Sequence, residues 1–200
     1  MITPEEANIE HALKKAVSYH GHLCPGTVIG VRMSLIGLEM IGITDPKGSQ
    51  RKDIVTFAEN DRCTVDAIQS VTGCKVSARA LKLYDYGKVA VTFLNLKTKK
   101  AVRIVCPDSA RELVDKYAPE DIKEKKDREI SAYKTMPREE LFKIQHVEVD
   151  LSPDDMPGHA MYRVICDSCG EWVSDHREVK KNNKTLCKSC AYGGYYRVVS

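Results

Sequence analysis

Two segments near the start of the chain repeat apolar residues at helical spacing. In residues 9–17 the apolar side chains share one face, which is the pattern of an amphipathic helix. Thr3 followed by Pro4 and Glu6 forms a capping box that would begin this helix. Residues 27–41 carry apolar side chains on two faces, and this predicts a second helix that is buried on most sides.

Short β-branched runs separated by turn residues follow these two helices. Strands are predicted at residues 54–58, 89–94, 101–105 and 143–149. The second and third of these are expected to form a hairpin through Lys97 to Lys100. Helices are predicted at residues 62–71, with Asp61 as N-cap, and along the charged stretch 111–143, which is interrupted at two prolines.

The segment from Asp150 to Gly158 contains two prolines and three aspartates and is the best linker in the chain. We therefore expect a domain over residues 1–150 and a small module over residues 159–200. A chain of 200 residues with 42% hydrophobic side chains is long and apolar enough for this division.

The overall charge excludes a binding mode that relies on a strong global field. Lys and Arg total 31 against 28 Asp and Glu, for a net charge of +3, so contact with nucleic acid or an anionic membrane would have to be local. There is no apolar run long enough to span a bilayer, and the first residues are acidic, unlike a secretory signal. We expect a cytoplasmic protein with reduced cysteines.

The strongest chemical motif is a double Cys-x-x-Cys pattern in the last part of the chain. Cys166 and Cys169 form the first pair, and Cys187 and Cys190 form the second. Two residues between thiolates let both sulfurs bind one ion, and a second pair completes a tetrahedral zinc shell. Four sulfurs saturate the metal, so this zinc is expected to be structural and to supply folding energy to the module.

A second concentration of soft donors lies in the turn between the two predicted helices. His20, His22 and Cys24 fall within five residues, and Cys63 is the most natural donor from elsewhere in the chain. We expect a second divalent metal here, with zinc favoured, held by three protein donors that leave one coordination position open. Cys63 lies in the first turn of a predicted helix, where the helix dipole favours a thiolate.

Two alternatives remain open for this region. The histidines could cap a helix end while the cysteines fill the core. If the site is catalytic, its candidate residues are His22, Cys24 and Cys63, with Asp61 or Asp66 as the carboxylate that moves a proton. Asp66 also has a simpler interpretation as an exposed residue of a helix.

Three motifs in order resemble the FmdE family, which takes its name from a component of formylmethanofuran dehydrogenase. They are the run from Tyr19 to Gly30, the segment from Glu59 to Gly73, and Asp85-Tyr86-Gly87-Lys88 before a strand. The resemblance covers roughly Glu6 to Val105. It implies an α+β fold with helices packed on an antiparallel sheet, and a homodimer.

The same resemblance implies that His22, Cys24 and Cys63 surround a metal or an active site, with Cys74 as a further candidate ligand. Some members of the family carry an added metal-binding module at the C-terminus. The segment from Cys166 to Cys190 is similar to a treble-clef finger of the DksA/TraR type.

These observations support three hypotheses of function. The first is an accessory metal-binding protein of the formylmethanofuran dehydrogenase system, whose finger docks a protein partner. The second is a zinc-dependent enzyme that uses the site at His22, Cys24 and Cys63. The third is a regulator that binds nucleic acid through the finger, which is not favoured because acidic residues interrupt its basic surface. The aromatic residues of the tail, Tyr192 to Tyr196, are expected to pack on the finger.

Overall fold

The structure is a computed structural model that describes the backbone of residues 4–199 and the side chains of residues 8–199. The predicted cap at Thr3 lies outside these residues. The chain divides into two compact units, Met1–Asp150 and Leu151–Ser200. We describe each unit by itself.

The first unit combines seven helices and five strands among the residues that the structure describes. The helices are α1 (Pro4–His20), α2 (Pro25–Met40), α3 (Cys63–Thr72), α4 (Ser109–Glu112), α5 (Val114–Tyr117), α6 (Lys125–Thr135) and α7 (Arg138–Leu141). The strands are β1 (Ile54–Ala58), β2 (Leu81–Leu83), β3 (Ala90–Asn95), β4 (Ala101–Val105) and β5 (Lys143–His146). The expected α+β class is confirmed.

The five strands form one sheet in the order β2, β1, β3, β4, β5. Three neighbouring pairs are antiparallel, including the predicted β3–β4 hairpin, but β2 runs parallel to β1. The expected antiparallel sheet is therefore found in three of its four strand pairs, and the edge strand β2 is parallel. The chain between β1 and β2 contains α3, and this long crossover allows β2 to enter the sheet in the same direction as β1.

Helix α2 is the centre of the packing in the first unit. Its residues from Thr27 to Met33 are all buried, because α1 and α3 cover one part of its surface and the sheet covers another. Gly30 allows the closest approach: a Cβ at this position would lie 2.7 Å from the Cβ of Ala67 and 2.7 Å from the carbonyl oxygen of Thr64. The absence of a side chain thus brings α2 and α3 together.

Some predicted elements differ from the observed ones in detail. Helix α3 begins at Cys63 with Arg62 at the N-cap position, and Asp61 does not cap it. The charged stretch after residue 108 forms four short helices: Pro119 separates α5 from α6 and Pro137 separates α6 from α7, whereas α4 and α5 meet at Leu113. The expected strand at residues 143–149 ends at His146.

The second unit is small and contains few buried side chains. A 3₁₀ turn (Pro153–Asp155) precedes β6 (Arg163–Ile165), β7 (Trp172–Ser174), β8 (Val179–Lys181), β9 (Lys184–Leu186) and α8 (Lys188–Tyr192). The strands pair as two antiparallel hairpins, β6–β7 and β8–β9. Within residues 4–199, no helix combines the length and the apolar character that a membrane crossing needs.

Candidate metal centres

Three helix ends converge in the first unit. Helix α1 ends at His20, and Gly21 adopts a left-handed φ of +96° that few other residues tolerate, with its amide donating to the carbonyl of Val17 at 2.8 Å. This turn places Cys24 as the N-cap residue of α2. Cys63 is the first residue of α3.

His20, Cys24 and Cys63 bring their donor atoms within 4.8 Å of one another. The Nε2 atom of His20 lies 4.0 Å from the Sγ atom of Cys24. Two ligands on a tetrahedral zinc ion, with bonds of 2.0–2.3 Å, are separated by roughly 3.5–3.8 Å. The spacing of these three side chains therefore fits one metal ion after small adjustments.

The orientation of His20 is fixed by a carboxylate. Its Nδ1 atom lies 2.8 Å from an oxygen of Asp66 on α3, and this contact raises the pKa of His20 above its usual value. When Nδ1 donates its proton to Asp66, Nε2 keeps a lone pair that faces Cys24. Histidines that bind metals almost always have such a partner on the other nitrogen. Asp66 thus belongs to the site and is more than the exposed helix residue that its sequence position suggests.

The two thiols of the cluster differ in acidity. Burial raises the pKa of Cys24, but hydrogen bonds from the side chain and the amide of Thr27, with the charge of His20, outweigh it and hold the pKa below its ordinary value. The pKa of Cys63 is raised by burial and by Cys24. The amide at the start of α3 lowers the pKa of Cys63, as its helix position predicts, but burial and Cys24 outweigh this effect, so Cys24 is the more acidic thiol.

The remaining candidates of the first unit lie outside this cluster. His22 is exposed, and its ring lies 4.5 Å from the ring of His20, so it contacts the cluster but is not part of it. Asp61 is exposed and pairs with Arg62 at 3.4 Å. Cys74 is buried in the core, where burial raises its pKa, and it is not one of the clustered donors in the described chain.

The second unit brings four thiols together. The donor atoms of Cys166, Cys169, Cys187 and Cys190 lie within 4.8 Å of one another, and the Sγ atoms of Cys169 and Cys187 are 3.9 Å apart. A tetrahedral zinc ion with four sulfurs at about 2.3 Å requires S–S distances of about 3.8 Å. The four residues therefore fit one zinc ion.

Local structure explains how the four thiols meet. Cys166 follows β6 in a tight turn that Gly170 closes with a positive φ of 74°, and Cys187 is the N-cap residue of α8. Hydrogen bonds from the amides of Cys169 and Cys187 lower the pKa of Cys166 to about 6. This thiol is therefore prepared to bind a cation as a thiolate.

Comparisons with known proteins agree with the motifs. The model of the family described as "FmdE, Molybdenum formylmethanofuran dehydrogenase operon" matches residues 19–143. This range contains all three donors of the first cluster as well as Asp66. The chain belongs to the FmdE family. A crystal structure of an FmdE-like protein from Syntrophus aciditrophicus, described as related to a tungsten formylmethanofuran dehydrogenase, has the same fold, with a TM-score of 0.62.

That solved protein is 22% identical and covers 94% of this chain, and 95% of its own length is matched. A curated relative from Archaeoglobus fulgidus, described as a probable S-adenosyl-L-methionine-binding protein, is 34% identical over 217 residues. The match includes 98% of this chain but 57% of the relative, so the FmdE-family chain spans little more than half of that protein's length.

Proposed function

We propose that this FmdE-family chain is an accessory metal-binding protein of a formylmethanofuran dehydrogenase system. One observation carries the proposal: His20, Cys24 and Cys63 converge at three helix ends, and Asp66 orients the histidine. Such a carboxylate partner is typical of metal sites and has no evident use in a cluster that only fills the core. The family match supports the link to the dehydrogenase system.

Zinc is the metal that suits both donor sets. Thiolate and imidazole are its preferred ligands, and four thiolates saturate the ion and give a structural site. In the first unit the three donors leave a position open for another ligand. We propose that the finger, of the treble-clef type, docks a protein partner and that the protein acts as a cytoplasmic homodimer.

Metal analysis of four purified proteins tests the proposal. Wild-type protein is expected to contain two zinc ions per chain, and the Cys24→Ser and Cys63→Ser variants one. Cys106→Ser is the matched control, since Cys106 is a partly buried cysteine outside both clusters. Equal metal content in all four proteins would reject the site in the first unit. Light scattering on the same samples measures whether the chain is a dimer.

An enzyme is the alternative that the donor count of the first site favours, since catalytic zinc sites have three protein ligands. Asp66 and His20 would then hold and move a proton beside the metal. The test uses protein loaded with cobalt(II) and titrated with azide. A change in the absorption spectrum that is absent in Cys24→Ser supports an open position, whereas an unchanged spectrum excludes this alternative.

Nucleic-acid binding by the finger is the weaker alternative. Trp172 is 58% exposed and has Arg163 above its ring at 5.1 Å, which is a surface that can stack on a base. The tail residues Tyr192, Tyr195 and Tyr196 are exposed, so the expectation that they pack on the finger is wrong. Binding of single-stranded DNA at low salt that weakens steeply with added salt is required, and its absence at low salt would end this alternative.

A further inference from the structure

A cavity of about 220 Å³ lies in the first unit beside Cys63. It is smaller than the range of roughly 300–1,000 Å³ that holds ligands of drug size, so only a small molecule fits. The residues of its wall that matter for recognition are Gly26, Arg62, Cys63, Arg111, Glu129 and Tyr133. The side chains of Arg62, Arg111, Glu129 and Tyr133 can form hydrogen bonds or ion pairs, and none of these four residues belongs to a cluster of metal donors in the described chain.

Positive charge dominates one part of this wall. The guanidinium groups of Arg62 and Arg111 contact carboxylates only at 3.4 Å and 3.6 Å, and both side chains are largely exposed, so these pairs are weak. The first turns of α2 and α3 also reach the cavity through Gly26 and Cys63. Two helix N-termini and two arginines together favour an anionic group.

Two further groups of the wall lack partners. Tyr133 is 2% exposed, yet its hydroxyl makes no hydrogen bond to any residue that the structure describes. The carboxylate of Glu129 likewise has no ion pair or hydrogen bond within residues 8–199. The hydroxyl of Tyr133 is not among the fully buried polar atoms that lack a partner in the described chain, so it opens onto the cavity and is available to a ligand.

The hydroxyl of Tyr133 keeps its proton under ordinary conditions. Burial, together with the charge of Glu129, raises the pKa of Tyr133 to about 12. The side chain can therefore donate one hydrogen bond and accept another. Beside it, the carboxylate of Glu129 can only accept, which favours a ligand that also has a donor group.

We infer that this cavity binds a small carboxylic acid with an amino or hydroxyl group next to the carboxylate. The carboxylate pairs with Arg62 and Arg111, and the amino or hydroxyl group donates to Glu129 and contacts the Tyr133 hydroxyl. This inference goes beyond the proposed metal function. The cavity shares Cys63 with the candidate metal ligands, but the residues that would bind the acid are Arg62, Arg111, Glu129 and Tyr133, which are not among those ligands in the described chain.

Isothermal titration of the full, zinc-loaded chain with L-alanine, L-lactate, propionate and inorganic phosphate tests the inference. Alanine or lactate is expected to bind at least tenfold more tightly than propionate, which lacks the donor. Arg111→Gln should weaken binding by about 10- to 100-fold, the effect of losing one charged hydrogen bond. Arg51→Gln is the matched control, because Arg51 is exposed and outside the cavity.

Two more variants separate the sources of the ligand from the metal site. Glu129→Gln is expected to weaken alanine more than lactate if the natural ligand is an amino acid, and both equally if it is a hydroxy acid. Cys24→Ser should lose one metal ion while it still binds the same ligand. If Cys24→Ser keeps its metal content but alanine or lactate binds, the metal proposal fails and the cavity inference stands.

Three results would overturn the inference. The first is no binding of alanine or lactate to the wild-type chain. The second is propionate or phosphate bound as tightly as the substituted acids. The third is an equal loss in Arg111→Gln and Arg51→Gln, since that would indicate only a general effect of net charge.

Discussion

The two clusters of donor residues are built in opposite ways. In the first unit, His20, Cys24 and Cys63 are held by long helices that pack around a large apolar core. In the second unit, the buried hydrophobic residues are Cys166 and Val173 among those that the structure describes. The first cluster is therefore a consequence of a fold that already exists, whereas the second provides the interactions that its fold otherwise lacks.

This difference has an energetic meaning. Modules below about 40 residues rarely bury enough surface to fold alone. Structural zinc contributes about 10–16 kcal/mol to the folding of such modules. The first unit has a large apolar core and does not need a metal ion to fold. A metal ion in this unit could therefore take part in ligand binding or catalysis.

Removal of metal should produce the largest effect and should divide the molecule. A strong chelator is expected to unfold residues 151–199, because the module loses the folding energy of its zinc–thiolate bonds and buries little else. Residues 4–150 should keep their structure. Hydrogen exchange followed by mass spectrometry measures both units in one sample, and continued protection of the Cys166 to Cys190 segment without metal would contradict this difference.

Gly30→Ala should damage the first site and leave the second intact. The added Cβ would lie within 2.7 Å of backbone on α3, so the two helices must separate. We expect the unfolding free energy of the first unit to fall by about 1–3 kcal/mol. Urea titration measures this loss, and metal analysis should show weaker retention of one zinc ion.

The control for this variant is Glu39→Ala on the same helix. Glu39 is exposed, and the guanidinium of Arg138 lies 4.0 Å from its carboxylate, at the outer limit of an ion pair. Its replacement should change the unfolding free energy little. Equal destabilisation by both substitutions would mean that the close approach at Gly30 is unimportant.

Asp66→Asn should weaken the first metal by about 10- to 100-fold, which is the usual effect of losing a carboxylate that orients a histidine ligand. The competition of a fluorescent zinc chelator with the protein measures the affinity. Asp61→Asn is the matched control, since Asp61 is exposed and lies outside the cluster. The four-Cys site has no histidine and should bind zinc equally well in both variants.

The smallest effect is expected for His22→Ala. His22 contacts the ring of His20 but is not one of the clustered donors, so its loss should change zinc affinity by no more than about twofold. His20→Ala, by contrast, should remove the first metal ion. A loss in His22→Ala as large as that in His20→Ala would show that His22 is a ligand.

Much of this arrangement can be predicted from the sequence because it depends on local chemistry. The four cysteines are recognisable from their spacing alone, since a tight turn brings neighbouring pairs together. Strands β1 and β4 have the bounds that the sequence predicts, because their β-branched residues lie between clear turns. Three short motifs are also sufficient to identify the FmdE family.

The remaining features depend on contacts between distant segments. Strand β2 is only three residues long, and its parallel pairing with β1 leaves no periodic pattern in the sequence. The choice of His20 over His22 follows from the left-handed turn at Gly21 and from Asp66. One signal for Asp66 is present in the sequence, because it follows Cys63 by three positions and thus shares its face of α3.

Helix α2 also determines when the first site can form during synthesis. Its Gly37 leaves room for the ring of Phe93 on β3, since a Cβ there would lie 2.2 Å from that ring. His20, Cys24 and Cys63 precede β3 in the sequence, so they leave the ribosome before the strand against which α2 packs. We expect the first unit to acquire its metal only after the sheet has assembled, while the finger can bind zinc as soon as its own short segment emerges.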